Sequence, residues 1–208
     1  MRRAALLLVL ILATPARADE SADEHMLAGA QHLQAGRYVE ALVEFRVAER
    51  LKDRGAAWYV AAALTKMGRA EEALTEFARA EAAAPEERDG LLDYYHALAC
   101  YEARLYFGAD RLLAAIGQEA GPRIAGQARK IRVDLAPLLT APPPPSSIDW
   151  YQAQAAAAFK GGHLALAQAY YEEAVSLAAL RPDHYRQADA IGALARVRAA
   201  LQSRSSAK

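Results

Sequence analysis

The chain is poor in cysteine: Cys100 is the one thiol in 208 residues. Disulfide frameworks need cysteines in pairs, so a fold built from this chain must be held by its core. Asparagine is absent altogether, β-branched residues are sparse, and Gly and Pro fall in a few places, while Ala, Leu, Glu and Arg dominate. Such a composition offers little for strands and favours helix nearly everywhere. An excess of positive charge is also missing. Removing residues 1–18 takes away Arg2, Arg3 and Arg17 and leaves 22 basic against 25 acidic residues, a net charge of −3. Gripping a phosphate backbone rests on clustered Lys and Arg, so nucleic acid is not an expected partner.

Long apolar runs are lacking too. "AALLLVLILA", Ala4 to Ala13, is a run of ten, too short to span a bilayer comfortably as a permanent helix. It follows the basic Met1-Arg2-Arg3, and Ala16-Arg17-Ala18 supplies the small-x-small pattern that a signal peptidase reads. Residues 1–18 therefore read as a signal peptide cleaved before Asp19, with no cysteine nearby to carry a lipid. The expectation is an exported chain of the bacterial periplasm, without a stable membrane anchor after cleavage.

Catalytic motifs are missing as well: there is no G-x-S-x-G, P-loop, H-E-x-x-H or C-x-x-C. His25 and His32 lie seven apart and could share a helix face, but two imidazoles without a third ligand do not make a metal site. His96 and Cys100, four apart, have the spacing of a base and a nucleophile. Cys100, however, stands where helix packing needs a small buried residue, and a core thiol is inert. The pairs Glu71-Glu72 and Glu172-Glu173 read as solvated faces. No enzymatic activity, cofactor or metal is expected.

What the chain does have is repetition. "QAGRYVEALVEFRVAE", Gln34 to Glu49, returns as "KMGRAEEALTEFARAE", Lys66 to Glu81, with nine of sixteen positions identical after a step of 32. The shared spacing is Gly36, Ala41, Phe45, Ala48, then Gly68, Ala73, Phe77, Ala80, and a third time Gly162, Ala167, Tyr171, Ala174. Each Ala–aromatic–Ala set runs i, i+4, i+7, one face of a helix. Each Gly stands where a preceding helix must end and the chain reverse, a left-handed position that Gly occupies most cheaply. Apolar helical stripes lie upstream of all three glycines, so each unit is helix, tight turn, helix. The alanines let backbones approach while the aromatic rings fill the space beside them. One such hairpin cannot bury its own apolar face, so copies must stack.

These residues resemble the tetratricopeptide repeat, whose unit carries A-x₃-F and a closing proline. Pro85 closes the second unit, and Asp53 stands at the equivalent point of the first. Trp58 falls one place later than the family's Trp, and the step of 32 is two residues short. A degenerate third unit spans "LLDYYHALACYEARLYFGADRLLAAI", with Ala109, Leu113 and Ile116 at the same spacing and Arg104 in place of the turn glycine. Gly121-Pro122 opens one more helix. The expected fold is thus all-α: a short helical-hairpin solenoid over residues 19–139, a proline spacer over 140–147 ("TAPPPPSS"), a C-terminal hairpin with a last helix over 148–203, and a frayed tail over 204–208. About 55 residues with a single hairpin make a marginal free-standing fold, so the C-terminal unit should dock on the first block or on a partner.

The resemblance implies that the first helices line a concave groove. That face reads Met26, Ala30, Leu33, then Trp58, Ala62, Thr65, then Tyr94, Leu98, Tyr101, with Lys66 and Glu102 beside it. Aromatic anchors of this kind dominate protein–protein binding energy, but the same stripe could equally seal adjacent helices together. A clamp of Lys, Asn and Arg on a terminal carboxylate is disfavoured, because no Asn is present. The expected function is an exported adaptor or scaffold that holds a protein or peptide, as an apolar helix or extended segment. Two alternatives stay open: an envelope chaperone or enzyme with an atypical site in residues 91–139, and self-association through a swapped C-terminal unit.

Overall fold

A computed structural model describes residues 21–181 and 187–206 of the chain; the expected signal peptide lies outside the described residues. Those residues form ten α-helices and two short 3-10 turns, with no strand. The α-helices are α1 (Ala22–Gln34), α2 (Tyr38–Arg50), α3 (Ala56–Lys66), α4 (Ala70–Ala83), α5 (Gly90–Glu102), α6 (Tyr106–Ala115), α7 (Pro122–Thr140), α8 (Pro145–Lys160), α9 (Leu164–Ala179) and α10 (Gln187–Ser206). None of the described helices is long and apolar enough to cross a membrane.

Local chemistry explains where the helices begin. Ser21 and Glu24 close a capping box on α1, with the Ser21 N–H donating to the Glu24 carboxylate at 2.7 Å. Asp53 accepts from the Ala56 N–H at 2.7 Å, and Asp89 accepts from the Leu92 N–H at 2.8 Å at the head of α5. Pro122 and Pro145 occupy first-turn positions, where a missing N–H costs nothing.

The helices end in a common way. Gly36, Gly68 and Gly162 have φ of +75°, +72° and +79°. The next residue in each case reaches five residues back: Arg37 to the His32 carbonyl, Arg69 to Leu64 and His163 to Ala158, at 2.9–3.0 Å. Arg104 makes the same turn at φ +63°, with the Leu105 N–H donating to Cys100 at 2.8 Å. Lys52 repeats it at φ +72° after α2. The degenerate third unit therefore keeps the turn without the glycine, at the steric cost of a Cβ in left-handed backbone.

The turns fold consecutive helices back on each other, α1 on α2, α3 on α4, α5 on α6 and α8 on α9, and the pairs then stack, α2 on α3, α3 and α4 on α5, and α6 on α7. All nine residues of the three Ala–aromatic–Ala sets are buried, so the periodicity marks the packing face. In the first unit the approach is close enough that a Cβ on Gly29 would lie 2.5 Å from the Phe45 ring. Further along, Trp58 packs on Phe77 with ring centroids 6.0 Å apart, and Phe77 stacks on His96 at 4.5 Å. Aromatics thus run through the core from α2 to α5.

Two features differ from the expectation, and a third selects between its alternatives. The proline segment is a tight corner: α7 continues to Thr140, α8 begins at Pro145, and Pro143 is buried with its carbonyl accepting from Arg181 at 3.1 Å. Proline fits the first turn of a helix, so the last Pro of the run joins α8. The C-terminal helix continues to Ser206, past the point where a tail was expected. The C-terminal unit docks on the first block of its own chain, with α9 against α4 and α6 and α10 against α9.

Two substitutions test this packing. Gly29→Ala drives a Cβ into Phe45 and should cost about 1–3 kcal/mol, read from the shift in urea midpoint. Arg104→Gly relieves a left-handed turn whose only other commitments are backbone ones, and should raise stability by about 0.5–1 kcal/mol in the same assay.

Candidate functional site

The expected groove face divides in two. Trp58 is fully buried and its indole N–H donates to the Ala84 carbonyl at 2.9 Å. Thr65 is 2% exposed, its hydroxyl donating to the Ala61 carbonyl at 2.9 Å, and Ala62 is sealed. These three belong to the core, because α3 is wrapped by α2, α4 and α5 and keeps only Tyr59 half-buried and Lys66 exposed. Met26 and Leu33 are half-buried against the same core. The structure does bring together Tyr94, Leu98, Tyr101 and Glu102 on α5, with Tyr94 and Leu98 half-buried and Tyr101 and Glu102 exposed. Lys66 stands close enough to Glu102 to pull its carboxyl down, against a larger upward push from burial.

Four aromatics outside the expected groove face lie beside these residues. Tyr59 packs on Phe45 at 5.3 Å, Tyr95 lies 6.2 Å from Tyr94, and Tyr106 meets Tyr101 edge-on at 5.9 Å. The Lys66 ammonium sits 5.5 Å over the Tyr38 ring. A signal for two of them was present: Tyr59 and Tyr95 are 36 apart, the same step that separates Trp58 from Tyr94. Among the described residues none hydrogen-bonds to the hydroxyls of Tyr38, Tyr59, Tyr94, Tyr95, Tyr101 or Tyr106. Burial pushes the phenols of Tyr59, Tyr94 and Tyr95 up, so each keeps its O–H as a donor at neutral pH. The result is a tyrosine-rich surface along α5, with Lys66 near Tyr38 and Glu102, Arg123 acting on Tyr94 and Tyr95, and Asp53, Glu87 and Asp89 acting on Tyr59.

Behind α5 lies the junction with the C-terminal unit. Helix α6 has no side-chain cap of its own, and Glu173 supplies one from α9. The Phe107 N–H donates to Oε1 at 2.9 Å and the Gly108 N–H to Oε2 at 3.3 Å, satisfying first-turn donors that α6 cannot pair internally. Glu173 is 2% exposed, which corrects the reading of Glu172-Glu173 as a solvated pair. It falls in the buried stripe Leu166, Tyr170, Glu173, Leu177 at helical spacing. Burial pushes its carboxyl up to about 7, although the backbone donors of Phe107, Gly108 and Tyr106 and the charge of Arg111 pull the other way. Tyr170 donates to Glu71 at 2.7 Å and Tyr151 to the Arg104 carbonyl at 2.5 Å across the same junction.

His96 and Cys100 face this junction from α5. The His96 ring is stacked on Phe77, its Nδ1 is sealed without a hydrogen-bond partner, and burial lowers its pKa to about 4. Burial likewise pushes the Cys100 thiol up to about 12. A neutral imidazole beside a protonated thiol is the reverse of an activated nucleophile. Among the described residues no group of three or more His, Cys, Asp or Glu could hold a metal ion.

Comparison with protein-family models, with curated proteins and with solved structures returns no match to the chain.

The Glu173 carboxyl makes the junction pH-dependent. Its folded pKa stands above the unfolded value, so its contribution is fully present below pH 4.5 and is lost as pH rises through about 7. Glu173→Gln keeps an acceptor for α6 but removes the titration. Between pH 4.5 and 8 the wild-type stability should fall relative to the variant by up to about 3 kcal/mol, measured as the difference between their urea-unfolding curves at the two pH values.

Proposed function

We propose that the chain is an exported adaptor of tetratricopeptide type, which holds a protein or peptide segment against the tyrosine wall of α5 and the edge of α3. The single observation behind this reading is the run of tyrosines along α5 and the start of α6, Tyr94 on Tyr95 and Tyr101 on Tyr106, with Lys66 and Glu102 beside it. Tyrosine gives large, rigid contact area at a low entropic cost and an O–H for directional bonding, which is why it recurs at binding hot spots. The threefold phrase and its left-handed turns favour a stacked-repeat architecture for the scaffold. A segment seated here would lay apolar side chains against the rings and place its own polar groups near Lys66, Glu102 and the phenol O–H groups.

The enzyme alternative over residues 91–139 gains no support from His96 and Cys100, whose burial works against thiol activation. A swapped C-terminal unit is not needed either, since the chain's own α9 already occupies the faces of α4 and α6.

The test separates the wall from the core. Tyr94→Ala with Tyr101→Ala should reduce partner capture from envelope extract at least tenfold, with the far-ultraviolet circular dichroism unchanged. Trp58→Ala, by contrast, should cost about 3–5 kcal/mol of stability and affect capture only through unfolding. Recovery of the same proteins in the same amounts by the double tyrosine variant would contradict the proposal.

A further inference from the structure

A cavity of about 750 Å³ lies between α4, α5, α6 and α9, on the far side of α5 from the tyrosine wall. Its size is that of a small-molecule pocket. The inner surface is apolar, built by Leu74, Phe77, Leu105, Phe107 and Leu112. Charged groups on its rim are already paired: Arg88 with Glu81 and Asp93, Asp110 with Arg132, and Glu172 with Arg111 and Arg198. Two polar groups on the lining are different. Glu173 is a buried carboxylate with no cationic side chain at ion-pair distance among the described residues; backbone N–H groups bond it, and Arg111, already paired with Glu172, acts on it only from farther off. His96 Nδ1 is buried and unpartnered. Both sit beside an apolar floor, and a carboxylate in such surroundings calls for a donor that also brings positive charge.

We propose that this cavity binds an amphipathic amine, its apolar body against Phe107 and Leu112 and its ammonium donating to the Glu173 carboxylate. A primary ammonium supplies three N–H donors and one positive charge, which an alcohol or a carboxylic acid of the same shape does not. An alcohol offers one weak donor and leaves the carboxylate uncompensated. An anion of the same shape would meet Glu173 head-on. Specificity for the amine therefore rests on charge, and affinity on the aromatic floor. Because three walls come from the first block and the fourth from α9, the ligand would also tie the C-terminal unit in place, raising the melting temperature by mass action.

The experiment uses the full chain and three probes of one shape: 2-phenylethylamine, 2-phenylethanol and phenylacetate, titrated calorimetrically at pH 8. The amine should bind at least tenfold more tightly than the alcohol, and phenylacetate more weakly still. At pH 6, where Glu173 is largely protonated, the amine should release close to one proton on binding, read from titrations in two buffers of different ionisation heat. Glu173→Gln should erase both the preference for amine over alcohol and the proton release. Ala115→Trp, an exposed position on the cavity lining, should weaken all binding while leaving Glu173 in place, and it serves if the glutamine variant does not fold. Equal binding of amine and alcohol, amine binding without proton release, or no binding of the amine at millimolar concentration would each overturn the proposal.

Discussion

The carboxyl group of Glu173, placed on the bare N-terminus of a helix, joins the two halves of this molecule. Helix α6 begins at Tyr106 with no cap from its own segment, and its first N–H groups point out of the helix with the positive end of its dipole. Glu173 comes to them from 66 residues away in sequence. Neither group is content without the other: the amides would be orphaned beneath α9, and the acid would be buried without the N–H donors that offset part of its desolvation. Burying the acid is costly, as its raised pKa shows, and the backbone donors offset only part of that cost. The contact therefore acts as a specific and titratable register for docking, with Tyr170 on Glu71 and Tyr151 on the Arg104 carbonyl fixing the orientation.

The docking has consequences for both faces of α5. On one side α9 roofs the His96–Cys100 edge and encloses the junction cavity. On the other, Tyr101 is exposed and Tyr94 and Tyr95 are half-buried. Helix α9 consequently buries two stripes, Ala167, Tyr171, Ala174 against its own unit and Leu166, Tyr170, Glu173, Leu177 at the adjoining helical positions. That is more than a lone hairpin of this size needs, and it answers the poor core that 55 residues would have alone. In the first block the same economy is reached through alanine and glycine at the crossings, with Phe45 seated over Gly29 and Phe77 between Trp58 and His96.

Much of the helical organisation was legible because its signals are local. Ala41, Phe45 and Ala48 repeat at one helical face, and Gly36, Gly68 and Gly162 mark reversals that few other residues enter cheaply. Even Arg104 was placed correctly, because the phase of the repeat outweighs the loss of the glycine. The site was less legible. Adjacent helix positions differ by about 100° in direction, so taking the stripe of Trp58 in place of that of Tyr59 exchanges core for surface, and only the neighbours α2, α4 and α5 decide between them. Glu173 was misread for a related reason. Its partner is a helix end far away in sequence, and a glutamate on an apolar stripe reads as an exception until that end is seen. The proline run misled through composition, since one proline inside the first turn of α8 is enough to convert a spacer into a corner.

The most direct measurement is amide hydrogen exchange at Phe107 and Gly108. First-turn amides of a helix ordinarily exchange fast, for want of an internal acceptor. If Glu173 caps α6 across the junction, these two amides are protected, with an opening free energy equal to that of the α9 backbone, and both lose protection together in Glu173→Ala. Exchange at Phe107 and Gly108 as fast as at the first-turn amides of α2, or protection that survives removal of the Glu173 carboxylate, would contradict the account.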